Sequence, residues 1–523
     1  MEITRRKFLK LGLMGTAGLA LPLGTLQTAR SRASAAEAVV SPKVEPFAVT
    51  LPIPPVAMPV RSDADADYYE VIQRATEQEI LPGTKTEVWG HNGLFPGPTI
   101  EARSGRRVVV RQKNELPVPV SVHLHGGKTP PESDGYPTDL ILPPGGDSFP
   151  TYVEHSGDPA WSFHRGSKDY VYPNEQRAAT LWHHDHRMDF TGPQNYRGLS
   201  GFYIIRDEVE DELPLPKGEK DIPLMISDRI FEEDGSFYYP SIDPSLTETP
   251  GVLGKHMQGV KGDTILVNGA PWPQFEVSNT KYRFRLLNAS NARLYELALD
   301  PPPPGGKPFV QVGSDGGLLE TPISHEKVLI SPAERFDVVL DFSRYPVGTE
   351  VTMKNLLGKE RTAEVMRFVV ARKEKDESAV PAKLAPEEEL SDPEKAELTR
   401  RFQFFGTFDF HGASFYPMWT VNLKHFDPER VDYHPRLGST EVWEFISDAE
   451  HPIHVHLVHF RVLSRDGKRP PARDAGWKDT VLVTPGEAVR VVARFDGYRG
   501  MYVFHCHNLE HEDMAMMANF EVI

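Results

Sequence analysis

The 523-residue chain contains a single cysteine, Cys506, so no disulfide can join two of its parts. This excludes the disulfide framework of small exported domains. Long apolar runs are scarce too, and the N-terminal run from Leu11 to Leu23 is too short to span a bilayer. Excess positive charge is missing, since the net charge is -16. Because an acidic surface repels phosphate, we expect neither nucleic-acid binding nor stable membrane insertion.

The first residues match an export signal rather than a folded segment. The stretch from Thr4 to Lys10, which contains Arg5 and Arg6, fits the twin-arginine pattern, and the short apolar run follows it. Small residues at 33–35 fit a cleavage site. We therefore expect residues 1–35 to be a twin-arginine signal peptide and the protein to be periplasmic or extracellular. The alternative is an uncut N-terminus that anchors the chain in the membrane.

Composition favours β structure along the whole chain. Pro (47) and Gly (41) are abundant, and short runs of Val, Ile, Phe and Tyr recur between them. The hydrophobic share of 39% is enough for real cores, and the length suggests three or more domains. We expect an all-β protein with domains at 36–210, 211–372 and 401–523, and a charged linker at 373–400.

Four His-x-His pairs occur at matching places in the first and third domains, and the second domain has none. They are His123/His125, His184/His186, His454/His456 and His505/His507. On a strand, residues i and i+2 point to the same face, so each pair presents two imidazoles side by side. If the two domains face each other, eight imidazoles converge on one cavity. Imidazole suits copper, zinc, iron and nickel, and eight are too many for one ion.

Cys506 lies between His505 and His507, so on a strand its side chain points to the opposite face. Candidate partners for it are His451, His511 and Met516. Two histidines, a thiolate and a distant methionine are the ligand set of a blue-copper electron-transfer site. Zinc does not fit, because zinc needs no thioether and carries no electrons. One strand would thus connect a one-electron site to a cluster of several metal ions.

These residues resemble the four copper motifs of three-domain multicopper oxidases. The motifs are His123–Gly126, Trp182–His186, His451–His456 and the run from His505 through His511 to Met516. The resemblance covers nearly all of the mature chain and is closest to the branch of bacterial spore-coat laccases and bilirubin oxidases. Further segments that resemble this branch are Gly126–Gly127, Ser133–Gly135, Gly313–Leu319, Gly476–Thr480 and Leu509–Asp513.

The resemblance implies three cupredoxin-like Greek-key β-sandwich domains and four copper ions per chain. It assigns the type 1 copper to His451, Cys506, His511 and, as a weak axial ligand, Met516. It assigns the type 2 copper to His123 and His454, and the two type 3 coppers to His125, His184, His186, His456, His505 and His507. Spacing favours His184 over His183, and Met516 over Met514 and Met517.

Two carboxylates, Asp134 and Glu512, lie near the motif histidines in sequence. Their positions resemble the acidic proton relays of the family, and making water from O₂ consumes protons. Two other interpretations remain open for each of them. One is an ordinary surface carboxylate, and the other is a partner that orients a histidine.

The expected function is a laccase-like oxidation of phenols, aromatic amines or bilirubin-like pigments, one electron at a time, coupled to reduction of O₂ to water. The expected partners are O₂ and a small reductant that docks near His511, whose imidazole edges toward solvent in this family. We expect a monomer. The alternatives are a cuprous or manganous oxidase and a copper store or scaffold without enzymatic activity. The 13 methionines are scattered, which disfavours a cuprous oxidase.

Overall fold

The computed structural model describes residues 39–386, 396, 398–411 and 414–523. The predicted signal peptide lies outside these residues. The chain is 45% strand and 9% helix, which confirms the all-β expectation. Among the described residues, no helix is long and apolar enough to cross a membrane.

The first third of the chain forms two main sheets and a small two-stranded one. Its strands are β1 Arg61–Ser62, β2 Ala66–Gln78, β3 Thr86–His91, β4 Gly97–Arg103, β5 Arg107–Asn114, β6 Val122–His125, β7 Asp139–Leu142, β8 Ser162–Arg165, β9 Ser167–Tyr172, β10 Ala179–Asp185 and β11 Ser200–Arg206. Its helices are α1 Pro150–His155, α2 Thr191–Tyr196 and α3 Glu208–Glu212. One sheet runs β1-β2-β5-β9, with β3 also on β2, and the other runs β4-β11-β10-β6.

The second third forms a seven-stranded and a five-stranded sheet. Its strands are β12 Asp221–Arg229, β13 Thr264–Val267, β14 Ala270–Pro271, β15 Gln274–Ser278, β16 Lys281–Asn288, β17 Tyr295–Asp300, β18 Phe309–Ser314, β19 Gly317–His325, β20 Val328–Ile330, β21 Arg335–Asp341, β22 Glu350–Asn355 and β23 Glu364–Arg372. The sheet orders are β14-β13-β12-β16-β21-β18-β19 and β15-β23-β22-β17-β20.

The last third forms a five-stranded and a four-stranded sheet. Its elements are β24 Leu398–His411, β25 Ser414–Val421, β26 Thr440–Ser447, β27 His451–Val455, β28 Phe460–Arg465, β29 Thr480–Val483, β30 Ala488–Arg494, β31 Gly500–Cys506, α4 Leu509–Asp513 and β32 Met517–Val522. The sheet orders are β25-β24-β26-β30-β28 and β29-β27-β31-β32. Short 3-10 turns throughout the chain lie at Pro131–Ser133, Gly146–Ser148, Gly218–Lys220, Gly254–His256, Phe342–Arg344, Glu360–Ala363 and Ala472–Asp474.

Alternation along the strands explains why each third has its own core. In β5, Val108 and Val110 are buried in the first core, while Arg107 and Arg111 face solvent. Burying each valine contributes about 1.5–3 kcal/mol. Strand β6 is buried on both faces. Its Val122 and Leu124 join the core, so the two histidines between and after them point away from it, to the other side of the sheet.

The structure differs from the predicted domain limits at two segments. Residues 41–51, assigned to the first domain, run along the second, where the amide of Leu51 donates to the carbonyl of Gln274 at 2.8 Å. Residues 373–386, predicted to be part of a solvated linker, also lie against the second domain. Leu384 is buried beside Leu318, and Asp376 accepts a hydrogen bond from the amide of Lys281 at 2.9 Å. Burial of apolar side chains and specific hydrogen bonds therefore hold residues 373–386 against the second domain, although their charge alone predicts a solvated linker.

A buried ion cluster joins the first and second thirds. Arg285, with no exposed surface, donates to Asp221 at 2.8 Å and to Glu210 at 2.9 Å. It also contacts Asp337 at 3.2 Å. Arg206 and Arg283 pair with the same three carboxylates. Removing Arg285 therefore leaves this buried group with one positive charge fewer, in a medium that solvates charge poorly.

We expect Arg285→Met to lower the free energy of unfolding by about 3–5 kcal/mol, because it breaks a buried ion cluster. The measurement is the thermal unfolding midpoint by calorimetry. The matched control is Arg103→Met, since Arg103 is 41% exposed in its pairs with Glu208 and Asp211 and should cost no more than about 1 kcal/mol. Equal midpoints for the two variants would contradict the prediction.

Candidate active site

Four strands place the predicted histidines at one interface. Strands β6 and β10 pair antiparallel, with His123 opposite His184, and β27 and β31 pair with His454 opposite His505. His125 ends β6, and the three remaining histidines each follow directly after a strand: His186, His456 and His507. All eight side chains are buried. The first and third domains therefore face each other through the histidine-bearing faces of these sheets.

The ring nitrogens of the two domains meet closely. The Nε2–Nε2 distances are 3.4 Å for His123 and His454, 3.4 Å for His184 and His507, and 3.2 Å for His186 and His505. Rings from the two domains also stack on each other: the ring centroids of His125 and His454 lie 3.6 Å apart. Sets of three such side chains, for example His186, His456 and His505, bring their ligand atoms within 4.8 Å of one another. We call these eight residues the histidine cluster.

Oxygen atoms on the outer side orient most of these rings. The Nδ1 atoms concerned are those of His123 (2.6 Å from Asp134 O), His184 (2.9 Å from Asp185 O), His454 (2.9 Å from Asp479 O), His456 (2.7 Å from Asp134 Oδ2) and His505 (3.1 Å from Cys506 O). An Nδ1–H that donates to oxygen leaves the lone pair on Nε2, which points into the cluster.

His125 is oriented the other way round. Its Nε2 lies 3.0 Å from Asp479 Oδ1, so Nε2 carries the proton and Nδ1 keeps the lone pair. This Nδ1 is buried and has no hydrogen-bond partner within the described chain. Burial also lowers the pKa of His184 to about 3 and that of His186 to about 4, so both rings are neutral. The arrangement presents neutral imidazole lone pairs to a shared space, which is what a metal cluster requires.

A second buried group lies on the other face of β31. Cys506 Sγ is 3.2 Å from His451 Nδ1 and 3.6 Å from His511 Nδ1, and the two imidazole nitrogens are 3.0 Å apart. Met516 is fully buried in the same core, and its amide donates to the carbonyl of His511 at 3.0 Å. Burial raises the pKa of the Cys506 thiol, so a cation is needed to hold it as a thiolate.

The residues that the sequence offered as alternatives to the predicted ligands pack against other side chains instead. Met517 lies in a separate cluster with Phe426 and Val503, and Met514 shares the core of Met516. His183 points away from the histidine cluster and lies 4.5 Å from His91, ring centre to ring centre. These positions agree with packing roles.

Asp134 and Glu512 both contact the outer side of the histidine cluster. Glu512 lies 3.1 Å from His505 Nδ1 and 3.4 Å from His186 Nδ1. Burial raises the pKa of Asp134 to about 8. Burial opposes ionisation of Glu512 too, but its interactions with His505 and His186 lower its pKa to about 2. Both groups are buried, which excludes the surface-carboxylate interpretation.

The expectation that His511 edges toward solvent is wrong. His511 is 1% exposed, because the indole of Trp419 stacks on it at 3.8 Å and the Asn508 amide lies 3.2 Å from its Nε2. Trp419 is itself only 4% exposed, and its ring also meets that of His451 edge-on at 5.4 Å. Sequence reasoning missed Trp419, since it lies on β25, far from every motif, and no spacing rule indicates its contact.

Comparisons with known proteins agree with this geometry. Two family profiles described as multicopper oxidase match residues 73–164 and 395–523. A laccase from Bacillus stratosphericus is 40% identical, with 92% of this chain and 99% of that protein covered. The chain belongs to the multicopper oxidase family. A bilirubin oxidase from Albifimbria verrucaria is 36% identical, with 92% of this chain and 82% of that protein covered.

The fold of this multicopper oxidase also matches a solved relative. A laccase from Pediococcus acidilactici Pa5930 superimposes with a TM-score of 0.77 at 30% identity, covering 92% of this chain and 95% of that one. The predicted cupredoxin-like β-sandwich fold and the resemblance to the laccase and bilirubin oxidase branch are confirmed. The protein is a laccase-like, copper-dependent oxidoreductase that uses O₂.

The donor set fits copper. Imidazoles together with one thiolate and a thioether are copper ligands, and neutral, buried lone pairs are already aimed at shared points. The Nδ1 atom of His125 is buried without a hydrogen-bond partner among the described residues, and a ligand there would relieve that cost.

We expect Trp419→Ala to expose His511 and to lower the free energy of unfolding by about 3–5 kcal/mol, since a buried indole is lost. The measurement is the reaction of His511 with diethyl pyrocarbonate in the metal-free protein, followed by mass spectrometry. Modification should rise severalfold. Trp419→Phe, which keeps a ring over the imidazole, is the control and should stay near the wild-type value. Equal modification in all three proteins would contradict the covering role of Trp419.

Proposed function

We propose that the protein oxidises phenols, aromatic amines or bilirubin-like pigments one electron at a time and reduces O₂ to water. Its laccase and bilirubin oxidase relatives support this substrate class. Bound copper ions would supply the one-electron redox chemistry and the site of O₂ reduction. We propose four ions: one held by His451, Cys506 and His511 with Met516 as a weak ligand, and three held by the histidine cluster.

The observation that carries this proposal is the position of Cys506 on β31. Its thiol lies with His451 and His511 on one face of the strand, while His505 and His507 on either side of it join the histidine cluster on the other. One strand therefore links the two groups through a few covalent bonds. Within the cluster, we assign one ion to His123 and His454, and a pair to the six other histidines.

Trp419 sets how a reductant reaches the first site. Because His511 is buried, the substrate cannot touch its imidazole. Trp419 and Asn508, which cover it, are nearly buried too, so we propose that the substrate binds at the surface outside them and that electrons cross this cover. A transfer of electrons across this cover needs no bond between substrate and protein. It therefore suits several aromatic donors rather than one.

Asp134 and Glu512 are proposed to hold and pass protons for water formation. Their pKa values are pushed apart, to about 8 and about 2, so at neutral pH Asp134 holds a proton and Glu512 is ionised. Both also orient histidines, so the two roles share the same atoms.

Two further proposals concern the location and assembly of the protein. The twin-arginine segment supports export of the folded protein to the periplasm or beyond, with residues 1–35 as the signal. We also propose that the enzyme acts as a monomer, since the proposed ligands of both sites come from a single chain.

The copper-loaded protein should consume O₂ rapidly with a methoxyphenol, measured with an oxygen electrode. Cys506→Ser should abolish this uptake and the blue absorption, because serine cannot replace the thiolate, while the paramagnetic signal of the remaining copper persists. Uptake with Cu(I) alone would instead favour a metal oxidase. Full copper loading without uptake from either reductant would favour a copper store or scaffold.

Glu512→Gln should lower O₂ uptake about 10²-fold or more and change its pH profile, because an amide cannot take up and pass on a proton as a carboxylate can. The measurement is the pH profile of O₂ uptake at matched copper content. Glu510→Gln is the control, since Glu510 lies on the same helix α4 but binds Asn291 and Tyr239 rather than the histidine cluster. An unchanged rate and profile in Glu512→Gln would contradict the proton role.

A further inference from the structure

The second domain contributes none of the proposed ligands, yet one of its side chains binds a residue that contacts the histidine cluster. Arg335, the first residue of β21, has no exposed surface. Its Nη1 donates to Asp479 Oδ1 at 2.8 Å, and its Nη2 pairs with Asp479 Oδ2. This fork-to-carboxylate contact is the geometry in which arginine binds most specifically. It joins the second domain to the third.

Asp479 in turn contacts the imidazole rings of His125 and His454. Its Oδ1 lies 3.0 Å from His125 Nε2, and its carbonyl lies 2.9 Å from His454 Nδ1. The Thr480 hydroxyl also donates to Oδ1, at 2.9 Å. Two histidines from different domains are thus oriented by a single residue, and that residue is held by the arginine of the remaining domain.

Two further hydrogen bonds fix the guanidinium and the backbone of Arg335. Its Nε donates to the carbonyl of Thr180 at 3.0 Å, and its amide donates to Asp315 Oδ1 at 2.7 Å. Asp315 in turn pairs with Lys478 at 2.9 Å, so Lys478 is neutralised separately. Arg335, rather than Lys478, is therefore the cation that pairs with Asp479.

The glycine of the first copper motif leaves room for this pair. Gly126 has φ +84°, and a Cβ there would lie 2.7 Å from Asp479 Oδ2 and 2.8 Å from Arg335 Nη2. A side chain would thus be strained and would push the ion pair aside. The backbone that follows His125 is shaped around Arg335 and Asp479.

We propose that Arg335 is a positioning residue for the copper cluster. By holding Asp479, it keeps the proton of His125 on Nε2 and directs Nδ1 of that ring to the metal, and it fixes the ring of His454. The inference rests on the ligands assigned under the proposed function. It gives the second domain a part in copper binding by the other two.

The test compares Arg335→Met with Arg285→Met in the copper-loaded enzyme. Arg285 is equally buried and also joins domains, but it pairs with Glu210, Asp221 and Asp337 and with none of the cluster histidines. Arg335→Met should weaken copper binding at the cluster about 10–100-fold, as measured by copper content during titration with a chelator. It should also change the type 2 copper paramagnetic spectrum and raise the KM for O₂. The blue absorption and the KM for a methoxyphenol should remain as in wild type.

Arg335→Lys separates positioning from stability. Lysine restores the charge but not the two-pronged contact, so copper affinity should fall between those of wild type and Arg335→Met. This variant carries the test if Arg335→Met does not fold. Unchanged copper affinity and type 2 spectrum, or the same changes in Arg285→Met, would overturn the inference alone. If wild-type protein bound copper only at the Cys506 site, the proposed function and this inference would both fail.

Discussion

Neutral imidazoles facing one another across a domain interface are the constraint on which the rest of this structure depends. Nitrogen atoms only 3.2–3.4 Å apart are buried away from bulk solvent. Each buried polar atom without a partner costs about 1–3 kcal/mol. The apolar cores and interdomain ion clusters must offset this cost, and copper binding would offset it further, since binding to a site formed only in the folded chain adds to folding free energy.

The second domain contributes interactions that offset the cost of burying these nitrogen atoms. It supplies no proposed ligand, but it contacts both domains that do. Arg285 donates to Glu210 on the side of the first domain, while Asn291 donates to Glu510 at 2.7 Å on the side of the third. The histidine cluster requires the first and third domains to be held at a fixed separation. The second domain binds both of them and so stabilises that separation.

The sequence could predict the features that follow from local spacing, but not those that depend on contacts between distant parts of the chain. The four histidine pairs and the opposite orientation of Cys506 follow from the two-residue period of a strand, and the structure places these residues as that period requires. Trp419, Arg335 and Asp479 act through contacts between strands that are distant along the chain. No spacing rule encodes such contacts. The burial of His511 was missed for the same reason, since it depends on a ring from another strand.

The two carboxylates proposed to pass protons also orient proposed copper ligands. Asp134 Oδ2 contacts His456 Nδ1 at 2.7 Å, and Glu512 contacts His505 Nδ1 at 3.1 Å, so neither carboxylate can change its charge without changing the basicity of a proposed ligand. Asp479 differs, because the fixed charge of Arg335 beside it lowers its pKa against the effect of burial and keeps it ionised. Asp479 is therefore suited to hold the geometry of the cluster constant, while Asp134 and Glu512 are the carboxylates proposed to pass protons.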